Sequence, residues 1–213
     1  MCNRITAGGA IASLVIVFVS GTIRTHAADA RPGTSAIDPV PATTQSSTTA
    51  PDALPNVIVQ TQDGKRVRFY DDLIKGKVVL INFMFTSCTT QCPLTTANLV
   101  KVEEALGEDL GRDVAMISIT VDPAVDTPAV LKRYSQRYHT KAGWYFVTGS
   151  GKDIDLIRRR LGGLDNTGDK TQHTGIVIYG NETTGQWAAT PAMAQPKAIV
   201  RSVMRLVHRQ SSN

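Results

Sequence analysis

Two cysteines four positions apart, Cys88 and Cys92, are the residues of this chain best suited to do chemistry. They lie in Phe85-Thr86-Ser87-Cys88-Thr89-Thr90-Gln91-Cys92-Pro93, between an apolar run over 78–85 and an amphipathic segment from Leu94 onward. That pattern predicts a buried strand handing over to a helix, with both thiols at the helix N-terminus. The positive end of a helix lowers thiol pKa values, because the thiolate is the form it favours. Such a pair can cycle between dithiol and disulfide, or it can hold a metal. Thiolates are soft ligands that select Cu(I), zinc or iron–sulfur clusters. One close pair within a single chain cannot supply the four thiolates of a cluster. Two thiolates suffice for linear Cu(I), whereas Cu(II) and Zn(II) call for further donors.

His173 is the candidate third ligand. It sits in Thr171-Gln172-His173-Thr174-Gly175, just before a predicted core strand over 176–179. Imidazole suits copper and zinc alike. Position alone leaves an ordinary loop histidine as the alternative. His139 and His208 fall on predicted helix ends and read as surface groups. Met84, Met116 and Met204 recur at core periodicity and read as packing residues, while Met193 lies in a loop outside any such stripe. Asp122 and Asp126 bracket Asp122-Pro123-Ala124-Val125-Asp126-Thr127-Pro128 at the end of another predicted core strand, and they read as turn and helix-cap residues.

The elements that must hold these residues follow from hydrophobic period. Two short strands over 57–60 and 67–69 flank a turn at Asp63-Gly64. The run 78–85 is nearly continuously apolar, as a strand covered on both faces is. A helix with Leu99, Val102 and Leu106 inward ends at Gly107. A second core strand covers 114–121, and Thr127-Pro128 opens a helix with Val130, Leu131, Tyr134 and Tyr138 as its stripe. A strand over 144–147, a helix over 153–161, a hairpin of 176–179 with 186–189, and a last helix from Pro196 complete the order β-β-β-α-β-α-β-α-β-β-α. This order predicts an α/β fold: a thioredoxin-like sandwich, a central mixed sheet flanked by helices.

At 213 residues, one domain with appendages is expected. Hydrophobic content of 42% and charged content of 19% are ordinary for a chain with a real core. The formal charge of +5 is mild, and no nucleic-acid motif is present. Arg158-Arg159-Arg160 reads as a solvated helix face. Three cysteines are too few for a disulfide scaffold, and the small loop closed by Cys88 and Cys92 would contribute little as a staple.

Residues 1–28 form a signal peptide or an N-terminal membrane anchor. No charge interrupts 5–23, and Thr25-His26-Ala27 and Ala28-Asp29-Ala30 offer small residues for cleavage. Either reading exports the domain, since Arg4 retains the N-terminus inside. For a bacterial source that means the periplasmic side of the inner membrane, anchored or secreted. Residues 29–54, rich in Pro, Ser, Thr and Ala, form a flexible linker. Residues 55–210 form the thioredoxin-like domain.

From about Val57 to Tyr179 the chain resembles the Sco/SenC family of copper-delivery proteins for cytochrome oxidase. The resemblance rests on Asp63-Gly64, Gly76-Lys77-Val78, Phe85-Thr86-Ser87-Cys88 through Cys92-Pro93, Val121-Asp122-Pro123 with Asp126-Thr127-Pro128, the stretch 144–149, and His173. It implies that Cys88, Cys92 and His173 are copper ligands, for Cu(I) or Cu(II). It also implies that the cysteines are a redox pair, a disulfide when oxidised. The implied client is the oxidase subunit carrying the binuclear copper centre, or another copper or thiol protein. The chain departs from the family pattern at Gln172, where Asp is usual, at Val125, where Arg is frequent, and in the short glycine-rich stretch 162–170. The competing expectation is an enzyme, a thiol–disulfide oxidoreductase in which Cys88 attacks and Cys92 resolves. Zinc in place of copper stays compatible with the donor set.

Overall fold

The computed structural model describes residues 54–162 and 175–210. The predicted leader 1–28, nearly all of the linker 29–54, and His173 lie outside the described residues. Leu54, assigned to the linker, is buried in the core. Among the described residues no helix is long and apolar enough to cross a membrane.

Strands β1 (Ile58–Thr61) and β2 (Arg66–Arg68) form the first hairpin. Phe69 does not extend β2 as predicted; it opens a short π-helical turn, Phe69–Ile74, and buries its ring with Leu73 and Ile74. Strand β3 (Val78–Met84) is buried at every position and is followed by helix α1 (Gln91–Leu106). Then come β4 (Val114–Thr120), α2 (Pro128–Arg137), β5 (Trp144–Thr148) and α3 (Gly151–Arg160). Strands β6 (Ile176–Asn181) and β7 (Gln186–Pro191) form the second hairpin, and α4 (Pro196–Gln210) closes the domain.

These strands form one seven-stranded sheet in the order β2-β1-β5-β4-β3-β6-β7. The central strands β3, β4 and β5 run parallel, while β1 and β6 join antiparallel on either side. This is the thioredoxin-like α/β sandwich with a mixed sheet that the element order predicts. Both faces are covered because alternate residues of β3 feed separate cores. Val78, Leu80 and Met84 pack with Leu99 and Val102 of α1, Leu131 of α2 and Val203 of α4. Val79, Ile81 and Phe83 pack with Ile154 and Ile157 of α3 and with Phe69. Burying one such side chain stabilises the fold by about 1.5–3 kcal/mol, so the central strand contributes heavily to the core.

The parallel register sets Met84 opposite Thr120, so β3 and β4 end side by side. The segments that leave these two ends carry the cysteines, Cys92 already within α1, and the two aspartates. In open α/β sheets that edge is where ligands are met.

Candidate metal and thiol centre

Cys88 lies in the loop between β3 and α1, and Cys92 is the second residue of α1. The two are not joined by a disulfide; Cys88 is partly exposed and Cys92 is buried. The loop turns at once, with the Cys88 N–H donating to the Phe85 carbonyl at 3.2 Å. Helix α1 begins without a side-chain cap from Thr90. The first N–H groups of a helix lack intrahelical partners. Here the Cys88 sulfur meets them: the Cys92 N–H donates to Cys88 Sγ at 3.3 Å, and the Thr90 and Gln91 N–H groups act on the same sulfur. Cys88 is in effect the capping acceptor of α1.

This geometry separates the two thiols chemically. Partial burial pushes the Cys88 thiol up, but the N–H donors of Cys92, Thr90 and Gln91, with the Cys92 thiol, outweigh it and bring it down to about 7. Burial pushes Cys92 up to about 12, and its hydrogen bond to the Cys88 sulfur and the nearby Asp126 add to the rise. Cys88 is therefore the thiolate of the pair at neutral pH, and Cys92 is its proton-bearing partner.

Asp126 departs from the expectation of a helix cap. Thr127 is the cap of α2, its Oγ1 accepting from the Val130 N–H at 3.4 Å, and Pro128 takes the first helical position. The Asp126 carboxylate is fully buried. It accepts the Thr86 N–H at 3.1 Å and the hydroxyls of Thr86 and Thr120. It thus ties the cysteine loop to the end of β4. Asp122 anchors the turn instead, its carbonyl accepting from the Val125 and Asp126 N–H groups at 3.0 and 2.9 Å. The signal for Asp126 was in the sequence, an acid two residues before a proline-started helix, but a partner forty positions away leaves no periodic trace.

Two further contacts were not foreseen. The Gln91 side chain lies against Gly175, where an added Cβ would stand 2.6 Å from Gln91 Nε2. The start of β6 is thus packed beside the cysteine motif. One turn beyond Cys92, Thr96 Oγ1 and the Tyr134 hydroxyl are hydrogen-bonded at 2.8 Å, and burial raises the Tyr134 pKa. Met84 and Met116 are core residues as expected, and His139 and His208 are exposed.

Among the described residues no third His, Cys, Asp or Glu joins the cysteines as a ligand group. His173, expected as the third ligand, lies just outside them, two positions before Gly175. The donor set among the described residues is two sulfurs, one ionised near neutrality, which suits a soft monovalent ion.

A family model described as SCO1/SenC matches residues 58–208. The chain belongs to the SCO1/SenC family. Within it, the SCO1 protein homolog of Bacillus subtilis (strain 168) is 40% identical over 91 residues, covering 42% of this chain and 46% of the relative. The match spans less than half the length of that curated relative. Among solved structures of Sco proteins, Bradyrhizobium japonicum ScoI with copper bound is 25% identical at a TM-score of 0.59, covering 72% of this chain and 99% of the other. BsSco, described as a member of the Sco family of cytochrome c oxidase assembly proteins and as having a disulfide switch, is 27% identical at a TM-score of 0.59, covering 74% and 95%.

Proposed function

We propose that this SCO1/SenC chain binds copper through its cysteine pair and delivers it to the binuclear copper centre of a cytochrome oxidase. The observation that carries the reading is the Cys88 sulfur at the N-terminus of α1, ionised near pH 7 and one helical turn from a second sulfur. The copper-bound ScoI relative and the description of BsSco support the same reading. Cys88 and Cys92 supply the sulfurs for Cu(I), and His173 supplies the nitrogen that Cu(II) additionally needs. Transfer is ligand exchange: a client thiolate replaces a Cys88 or Cys92 thiolate, and the copper keeps its charge. The domain works outside the cytoplasm, on the periplasmic side of a bacterial inner membrane, held there by residues 1–28 or released from them.

The test is copper titration of the reduced full chain beside its Cys88→Ser, Cys92→Ser and His173→Ala variants. The parent takes up one copper, and both serine variants lose it. The His173→Ala variant keeps Cu(I) and loses the parent Cu(II) spectrum. An unchanged Cu(II) spectrum and stoichiometry in that variant removes the three-ligand site, and a parent that binds no copper removes the reading. Because thiols and imidazole must lose protons to bind, affinity falls in acid.

The separation of the two thiols favours a second reading, reduction of a partner disulfide. The Cys88 thiolate attacks one partner sulfur, forming a mixed disulfide and releasing the other partner sulfur, which takes a proton. Cys92 then gives up its proton and attacks Cys88, freeing the second partner thiol. Two electrons pass to the partner and the chain ends as the Cys88–Cys92 disulfide. Turnover of a disulfide peptide without copper uptake selects this reading over the first.

A further inference from the structure

The outward face of α4 carries charge of one sign, and neither the core nor the copper reading uses it. Ile199 and Val203 turn inward and are buried. Lys197, Arg201 and Arg205 recur at every fourth position and are exposed, and His208 is exposed beside them. At 3.6 residues per turn these four fall within an arc of about 80°, opposite the buried pair. The helix contains no Asp or Glu. Like charges four apart on a helix repel, so the row costs the free domain stability. Elsewhere basic side chains meet acids: Arg68 pairs with Asp71 and Asp72, Arg112 with Asp109 and Asp113, and Lys132 with Asp63. Among the described residues no acid pairs with Lys197, Arg201 or Arg205, and Arg205 donates to Ser202 Oγ of its own helix at 3.0 Å.

The row is held in a fixed direction. Asn98 on α1 donates to the carbonyls of Ala192 and Ala194, both at 2.9 Å, and so clamps the turn into α4. The Ala192 N–H donates to the Gly175 carbonyl at 2.7 Å, which places that turn at the sheet edge bearing the cysteine motif. At the other end of the sheet, the Asn181 amide donates to the Leu206 carbonyl at 3.0 Å. Helix α4 therefore runs the length of the sheet, and its basic row is straight, spanning about 12 Å from Lys197 to Arg205 at 1.5 Å per residue. None of the large exposed apolar residues, Ile58, Leu94, Val125, Leu156 and Met193, lies on it. A protein partner is anchored by apolar or aromatic groups at the centre of its footprint. A surface of phosphates needs no such anchor, and Arg and Lys are its matching donors.

We propose that this face of α4 lies on an anionic phospholipid bilayer, with Lys197, Arg201 and Arg205 against lipid phosphates. Each such charge near an anionic membrane strengthens binding about five-fold. Three of them make a contact that is weak for a free chain and sufficient for one already held at the surface. Because α4 lies along the sheet, the edge bearing Cys88 then opens parallel to the bilayer, toward neighbours in the same membrane. The inference stands apart from which reading of the cysteines holds.

The test uses the full chain with vesicles of phosphatidylcholine alone or mixed with phosphatidylglycerol. Arginines are modified with phenylglyoxal, and the rate at each is read by peptide mapping. Arg201 and Arg205 are expected to react several-fold more slowly with the phosphatidylglycerol vesicles, while exposed Arg66 of β2 reacts equally with both. Salt at about 1 M, where the screening length falls to about 3 Å, is expected to abolish the difference. Equal rates at Arg201 and Arg205 with the two kinds of vesicle overturn the proposal. Equal slowing at Arg66 also overturns it, since the chain then adsorbs without orientation. Protection by polyglutamate without protection by phosphatidylglycerol overturns it as well, and assigns the face to an acidic protein.

Discussion

The buried Asp126 carboxylate accepts the backbone N–H of Thr86 at 3.1 Å, joining the loop after β4 to the loop that presents Cys88. Each loop leaves the same edge of the sheet, and this contact gives them one shared conformation. Replacing Asp126 by Ala strips acceptors from the Thr86 N–H and from the hydroxyls of Thr86 and Thr120. Stranding buried donors of this kind lowers the unfolding free energy by about 2–4 kcal/mol. Urea unfolding of Asp126→Ala beside the parent measures it, and equal midpoints and slopes would show that the carboxylate is not holding the loop.

Cys88 is expected to react first with iodoacetamide. Its thiol is lowered to about 7, so its thiolate fraction, and hence its alkylation rate, climbs as pH rises through that value. Cys92, raised to about 12, stays protonated across the same range. Peptide mapping of the native reduced chain separates the two sites. Preferential labelling of Cys92 contradicts the assignment.

Glu103 offers a pH test away from the site. It is 1% exposed on α1 and accepts the Lys141 N–H at 2.6 Å, which pins the loop before β5. Burial raises its pKa, with the Lys141 N–H partly opposing the rise. A raised folded-state pKa means a contribution that is full below the unfolded value and is lost as pH rises through the folded one. Glu103→Gln keeps an acceptor and cannot ionise. Its stability relative to the parent therefore improves as pH rises above the ordinary carboxyl range. A pH-independent difference between the two proteins in chemical denaturation rules this out.

Gly175 and Gln91 should be coupled. A methyl group at 175 meets the end of the Gln91 side chain at 2.6 Å. Gly175→Ala therefore destabilises the parent by more than it destabilises a Gln91→Ala background. A double-mutant cycle reads this as a coupling of about 0.5 kcal/mol or more. Additive effects would mean that the Gln91 side chain swings away freely.

The fold was largely legible in the chain because its signals are local. The unbroken apolar run of β3, the stripe of Leu99, Val102 and Leu106, and the cap and proline at Thr127 and Pro128 each act within a few residues. Their order alone implied a sheet sandwiched by helices. The local reading went astray at Phe69, whose apolar side chain suits a strand but is buried by a π-helical turn. It also went astray at Asp126, where proximity to a helix start suggested a cap.

The cysteine pair was equally visible, since residue type and spacing define which groups can ionise and bind. What the sequence by itself determined was the inventory: two thiols at a strand–helix junction of an α/β domain in the SCO1/SenC pattern. What only the tertiary structure decided was their inequality. Cys88 gathers the open N–H groups of α1 and Cys92 is sunk in the core, so one is drawn to about 7 and the other to about 12. The same holds for the buried carboxylate that steadies the loop and for the clamped turn that leads into α4. These are properties of solvent exclusion and of contacts between residues distant in the chain. Hydrophobic period carries no record of them, because it reports which face of an element is buried and not which groups meet there.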